Sequence, residues 1–303
     1  MSKSKVRTGG GTFDPQAERL YFIASGVSRL TLGASMHDQL LIAVNELTSA
    51  HELQQVERWI ADGKTVFLDS GVYNLAVTHA QRREVTMDEA LSTPPEDVDG
   101  FEALFEKYVK LVKQFEPGLW GYIEIDQGGR ENKIKTRAKL EALGLRPIPV
   151  YHPLNDGWDY FDELAQRYDR ICFGNIVKAD PPTRLRLLAT MWERHCHYPD
   201  LWIHILGLTP NGVMNGYPSN SADSSSWLAG IRWGDSMRER AMCAPIGGFP
   251  LDFRYNYDSP PGAEDGADKA VRMAGYWSHM MQRNWRNHIA RLEALGMEIY
   301  GNG

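Results

Sequence analysis

TVFLDSGVYN, residues 65–74, decides the fold: an apolar run of strand-forming residues drives into a carboxylate, a hydroxyl and a glycine, then into a tyrosine and an asparagine. A buried strand that ends in an acid carries a functional group, a cap for the next helix, or both. Seven segments of similar character accompany it: RLYFIASG (19–26), QLLIAV (39–44), WGYIEID (120–126), RPIPVYHP (146–153), RICFGNIV (170–177), WIHILGLT (202–209) and NSADSSSW (220–227). Amphipathic stretches alternate with them, among them ELQQVERWIADG (52–63), FEALFEKYVKLVKQFEPG (101–118), NKIKTRAKLEALG (132–144), WDYFDELAQRYD (158–169) and PPTRLRLLATMWERH (181–195). Several close on Gly or Pro, as helices do.

Regular strand–helix alternation implies parallel strands joined by crossovers. Eight such units predict a single-domain α/β fold, a (β/α)8 TIM barrel; the alternative, a doubly wound open sheet, more often uses about five or six strands. The polar segment between Leu75 and Gly100 is too long for a simple connection and predicts an insertion after strand 3 that passes over the barrel mouth. Residues 1–18 read as a flexible tail, 19–258 as the barrel, and 259–303 as an acidic linker followed by a C-terminal helix, rich in Trp, Met and Arg, that packs on the barrel.

The chain has 303 residues, 43% of them hydrophobic, enough for a sizeable core. A formal net charge of -6 argues against a surface coated in positive charge but leaves room for a local basic groove. Three cysteines without a CxxC pair give neither a disulfide framework nor a ribbon-type zinc site, and fit a reducing cytoplasm. No apolar run approaches the ~20 residues needed to span a bilayer, so no membrane partner is expected.

In a barrel, functional groups gather at the C-terminal ends of the strands. Asp69 closes the third strand, Asp126 the fourth, His152 the fifth, Gly174 and Asn175 the sixth, and Gly207 the seventh, while Asp223 lies in the eighth. Three carboxylates facing one cavity push their pKa values apart, so that one acid holds a proton while another is ionised. Each Asp alone is equally well a helix cap or loop former.

DSGVYN resembles the DSGG-F/Y-Q signature of the tRNA-guanine transglycosylase family, and the later pieces follow in that family's order. IEIDQGG is similar to its second base-recognition aspartate, FGNIV to its glycine-bearing strand, HILGLTP to its "hLLGvGtP" segment, and NSADSSSW to the strand bearing the nucleophile. The resemblance runs from about residue 65 to 230. It implies base exchange at a sugar C1′: Asp223 as the nucleophile that displaces guanine and holds the sugar covalently, and Asp69 as the acid/base that also recognises the base edge. Asp126 would hydrogen-bond the Watson–Crick face, Tyr73 would stack on the ring, Gly174 would contact its carbonyl, and Ser70, Gly71, His152, Asn175 and Gly207 would complete the base site.

The chain also departs from the family pattern. Val72 replaces the second glycine, Asn74 the usual glutamine, and His152 stands where another polar residue is expected. The C-terminal CxCxxC...H zinc site is missing, and His195-Cys196-His197 reads as structural, because adjacent helical residues point in different directions. No cofactor is therefore expected. A short, zinc-less relative resembles the DNA 7-deazaguanine transglycosylases of bacteria and phages, which favours DNA over tRNA as acceptor, with free 7-deazaguanine and guanine as the exchanging bases. Arg130 and Lys133, in a run with Lys135, Arg137 and Lys139, and Arg232 and Arg238, near Arg240, follow strand ends that bear catalytic groups and are candidates for holding the nucleic-acid backbone. Against this stand a solvated helix face, an N-glycosidase that sends water to the same intermediate, a non-catalytic base-binding barrel subunit, and a metal-dependent barrel using Asp69, Asp126, His152 and His204.

Overall fold

The structure, a computed structural model, describes residues 5–17, 19–34, 37–209 and 219–228, together with positions 286, 290 and 294. All eight expected strands are present: β1 (Leu20–Ala24), β2 (Gln39–Ala43), β3 (Thr65–Asp69), β4 (Leu119–Tyr122), β5 (Val150–Tyr151), β6 (Arg170–Phe173), β7 (Trp202–Ile205) and β8 (Ser221–Ser224). They pair in parallel in the order β4-β3-β2-β1-β8-β7-β6-β5, and a parallel bridge between Ile123 and Ile148 joins the two ends of that row. The fold is thus a (β/α)8 barrel.

Eight α-helices lie between the strands among the described residues, three of them between β3 and β4: α1 (Val27–Gly33), α2 (Ala50–Ala61), α3 (Val72–Arg83), α4 (Met87–Ser92), α5 (Phe101–Phe115), α6 (Gly129–Ala142), α7 (Trp158–Arg167) and α8 (Pro181–His195). Their starts are written locally. Ser49 with Glu52 and Thr86 with Glu89 form capping boxes at α2 and α4, and Asp180 caps α8 ahead of a proline at its first turn. Between strands and helices lies the larger apolar layer, which includes Tyr108, Phe161, Ile171 and Ile203.

The barrel interior is a second, aromatic layer of Phe22, Leu41, Phe67, Trp120, Val150, Cys172 and Trp202. Because strand side chains alternate in direction, the residue two positions after each inward one points inward again, one layer nearer the C-terminal mouth. Phe67 leads to Asp69, Val150 to His152, Cys172 to Gly174, and Trp202 to His204. On β8, Ser221 leads to Asp223. This parity delivers one polar ring above one apolar floor.

Two expectations change. The segment from Leu75 to Gly100 is largely helical: α3 and α4 pack through Ala76, Ala80 and Ala90. The Gln127 side-chain amide donates to the carbonyls of Ala90 and Thr93, at 2.7 and 2.8 Å, and Asp88 pairs with Lys178 beyond β6. The insertion therefore reaches from β3 past β4 to the β6 loop along the mouth. At the opposite end, residues 5–17 are not a flexible tail. Val6 bridges to Tyr168, Gly9 and Thr12 donate backbone hydrogens to Arg146 and Leu119, and Phe13 meets Trp120 and Trp202 edge-on. Arg170, fully buried at the barrel floor, donates to the Thr8 hydroxyl and to the carbonyls of Thr8, Gly9 and Trp120. A buried guanidinium needs several acceptors, and this segment supplies most of them. The linker and most of the C-terminal helix lie outside the described residues; Arg286, Ala290 and Ala294 are helical and exposed.

Candidate active site

Asp69, Asp126 and Asp223 converge at the barrel mouth. Burial and then the charge of Asp126, with a further contribution from Asp223, push the Asp69 carboxyl up to about 7, against the backbone N–H groups of Gly71 and Ser70. Like charges that act on one another in a half-buried site separate in acidity. The other two acids are each bound by a histidine. Asp126 Oδ2 lies 3.1 Å from His152 Nε2, and Asp223 Oδ1 lies 3.1 Å from His204 Nε2.

The donors around each ring fix its tautomer. The Lys133 ammonium, wholly buried, reaches Val150 O at 3.1 Å, Asp156 Oδ2 at 2.8 Å and His152 Nδ1 at 3.5 Å. An ammonium only donates, so Nδ1 accepts and Nε2 carries the hydrogen given to Asp126. Asp156 also takes the backbone hydrogen of His152, at 2.9 Å. Burial raises the Asp126 carboxyl, and its interactions with His152, followed by the Lys133 charge and a backbone hydrogen bond, outweigh it, so this acid sits below the ordinary range.

On β7 and β8 the chain of donors starts at Trp202. Its indole N–H can only donate, and it does so to Ser221 Oγ at 2.8 Å; the same oxygen is 2.8 Å from His204 Nδ1. No other acceptor for the Ser221 hydroxyl occurs among the described residues, so its proton goes to Nδ1, which leaves the ring hydrogen on Nε2 for Asp223. The backbone N–H of Gly207 donates to the same Asp223 oxygen at 2.9 Å. No other side-chain hydrogen bond to Asp223 occurs among the described residues, so Oδ2 has no partner among them. His204 is 1% exposed and stands edge-on to Phe22 and Phe67.

The remaining expected residues surround these acids. Gly71, at φ 81°, caps α3 in the left-handed region and lets the chain turn sharply out of β3. Tyr73 follows in the first turn, 62% exposed, with its ring available at the rim. Ser70 is buried, and Asn175 adopts φ 47° after β6. Gly174 is packed under His152.

The basic residues are corrected in part. Lys133, expected on the nucleic-acid backbone, is 0% exposed and committed to Asp156, so it cannot reach a phosphate. Arg137, in the same run, pairs with Glu124 in the interior at 2.9 Å. α6 turns this pair inward, so the run is not a single solvated face. Arg130 remains at the surface, paired with Asp159 and Glu163 at 3.1 and 3.2 Å and lying over the Tyr160 ring. Arg232 and Arg238 lie outside the described residues.

Among the described residues no three His, Cys, Asp or Glu side chains are arranged to hold a metal ion. His152 and His204 each turn toward a different carboxylate. His195 is buried and its Nε2 donates to Leu201 O at 2.8 Å, a main-chain partner. No helix among the described residues is long and apolar enough to cross a membrane.

No protein-family model matches the chain, and no curated protein matches it significantly. Solved structures do. One from Aquifex aeolicus VF5 aligns with a TM-score of 0.51 and 10% identity, covering 88% of this chain and 93% of its own. An open form of tryptophan synthase from M. tuberculosis aligns at 0.46 and 10% identity over 88% and 94% of the two chains. A structure described as native KDPGal aligns at 0.43 and 10% identity over 91% and 98%. At such identities a likeness bears on the fold alone.

Proposed function

We propose that this protein is an enzyme, a guanine transglycosylase that replaces guanine in nucleic acid with a 7-deazaguanine derivative through a covalent aspartyl–sugar intermediate. One observation carries the reading. Three strand-end carboxylates share a mouth, and their surroundings give them different tasks: among the described residues Asp223 is held through Oδ1, Asp126 is kept ionised, and Asp69 titrates near neutrality.

In the reaction, a lone pair of Asp223 Oδ2 forms a bond to C1′ while the C1′–N9 bond breaks and its electron pair leaves with guanine. The Asp69 proton goes to the departing base. The incoming base gives its proton back to Asp69 and attacks C1′, and the ester C–O bond returns its pair to Oδ2. A carboxylate nucleophile thus splits one substitution into two, with a second carboxyl managing the proton. Asp126 accepts hydrogen bonds from the N–H groups of the guanine edge, and Tyr73 supplies a stacking face.

DNA remains the favoured acceptor, and a base within a duplex must leave the stack before C1′ is reachable. Arg130 is the described cation placed to meet the backbone; its exposed ion pairs are weak enough to yield to a phosphate. The reading is tested by incubating the protein with radiolabelled guanine and separate DNA and tRNA acceptors, and by looking for a denaturation-stable protein–nucleic acid adduct. Label in DNA, with an adduct lost in Asp223→Ala, is the expected result. Label in tRNA alone reassigns the acceptor, release of guanine without incorporation makes the protein an N-glycosidase, and neither event with either acceptor overturns an enzymatic role.

A further inference from the structure

We infer that His204 is a positioning residue for Asp223, locked by Ser221 and Trp202 into the neutral tautomer whose Nε2–H grips Oδ1 and leaves Oδ2 to react. The catalytic meaning rests on the base-exchange reading; the hydrogen-bond geometry does not. His204 occupies the middle of β7, where a side chain normally packs, and it sits on the aromatic floor beside Phe22, Phe67 and Trp120.

Other buried histidines of this chain show what mere satisfaction looks like. His37 Nε2 donates to Tyr21 O at 2.7 Å and His195 Nε2 to Leu201 O at 2.8 Å, each settling on a neighbouring carbonyl. His204 instead spends both ring nitrogens on side chains inside the barrel, and both partners lie on β8 two residues apart. The strand register makes this possible. His204 is directly opposite Ser221, so Trp202, His204, Ser221 and Asp223 all face inward across one β7–β8 seam.

The order of donors determines the charge on the ring. Trp202 fills one of the two acceptor sites of Ser221, the Ser221 hydroxyl proton finds no acceptor among the described residues except His204 Nδ1, and the ring hydrogen then sits on Nε2, facing Asp223. A neutral donor orients the carboxylate without neutralising it, whereas an imidazolium would pair with the charge that has to attack. Gly207 N–H supplies the second donor to Oδ1. When Oδ2 bonds to C1′, Oδ1 becomes an ester carbonyl oxygen and still accepts both hydrogens, so the grip persists through the intermediate. Donors fixed in advance cost nothing to reorganise during the reaction.

The experiment combines imidazole 15N NMR with exchange kinetics on the full chain. Wild-type His204 is expected to show the Nε2–H tautomer, and Ser221→Ala to lose it or mix it with Nδ1–H. His204→Leu should lower kcat for labelled-guanine exchange about 10²–10³-fold, the usual scale for removing one preorganised donor, with KM for guanine within about twofold. His204→Gln, whose amide N–H can occupy the Nε2 position, should recover at least tenfold of that loss while melting like His204→Leu. An Nδ1–H tautomer in the wild type, a tautomer indifferent to Ser221→Ala, or a His204→Leu protein with wild-type kcat overturns the inference. A wild-type protein that shows the Nε2–H tautomer and its Ser221 dependence but exchanges no base supports the relay and sinks the base-exchange reading alone.

Discussion

The imidazole of His152 rests directly on Gly174: a methyl group at that α-carbon would stand 2.8 Å from Cδ2 and 3.0 Å from Nε2. Gly174→Ala therefore has to displace the ring, whose Nε2 is hydrogen-bonded to Asp126 Oδ2. Guanine affinity is expected to fall about tenfold, with a smaller change in kcat, as measured by exchange kinetics at varied guanine concentration. The same substitution at the exposed Gly144 would not serve as a control, because its φ of 86° brings strain of its own; Lys139→Ala, on the outer face of α6, does.

The pH dependence of exchange follows from Asp69. Its carboxyl, raised to about 7, is protonated below that pH and able to donate to the leaving base. The first half-reaction, read as adduct formation in the absence of incoming base, should fall as pH rises through about 7. Asp69→Asn should reduce it about 10²–10⁴-fold, the usual scale for general acid catalysis, and remove that limb.

The same group makes stability depend on pH. Its folded value of about 7 exceeds the ordinary 3.8, so the folded state binds the proton more tightly and stability is lost as pH rises from about 4 through 7. Full burial would make the loss ~4 kcal/mol; the partial exposure of Asp69 reduces it to about half. Asp69→Asn should flatten this limb and melt at a higher temperature than wild type at pH 8, measured by thermal unfolding across pH.

Lys133 and Asp156, with side chains 0% and 4% exposed, form a buried pair that removal of one partner breaks at a cost of about 3–5 kcal/mol. Lys133→Met should show that loss in denaturant unfolding. The salt dependence of DNA binding, by contrast, should be the same as in wild type, since this ammonium meets no phosphate. Arg130→Ala should lower the slope of log K against log salt by about one phosphate contact.

At the barrel floor, the Thr8 hydroxyl accepts from Arg170 Nε at 2.5 Å and donates to Asp169 Oδ1 at 2.8 Å. Thr8→Val keeps the shape and leaves a buried guanidinium N–H unpaired. A loss of about 1–3 kcal/mol is expected in urea unfolding.

All eight strands were legible because each carries a short apolar run closed by turn chemistry, and their shared C-terminal face placed Asp69, His152 and Gly174 together. Asp126 arrives differently. A register shift between β3 and β4 at Val66/Phe67 lets Trp120 and Ile123 both face inward, an odd spacing that no strict alternation reveals. Helices α3 and α4 were hidden because their shared contact is made of alanines, too small to write an apolar stripe. Lys133 and Arg137 look like surface charge in sequence; their partners Asp156 and Glu124 sit in the segments that follow β5 and β4, 23 and 13 residues away. His204 was visible only as a possible metal ligand. The signal that would have found it is its even spacing from Trp202 on one strand, set beside Ser221 and Asp223 at the same spacing on the next.

The floor also sets an order of events during synthesis. Thr8 meets Asp169 across 161 positions, and β1 pairs with β8 across about two hundred. At roughly 5–20 residues per second, the ribosome delivers Asp169 about 8–32 s after Thr8. The Arg170 contacts of the leading segment wait this long, and the edge of β1 stays uncovered longer still, until β8 follows, a window in which chaperone capture or misassembly competes with ring closure.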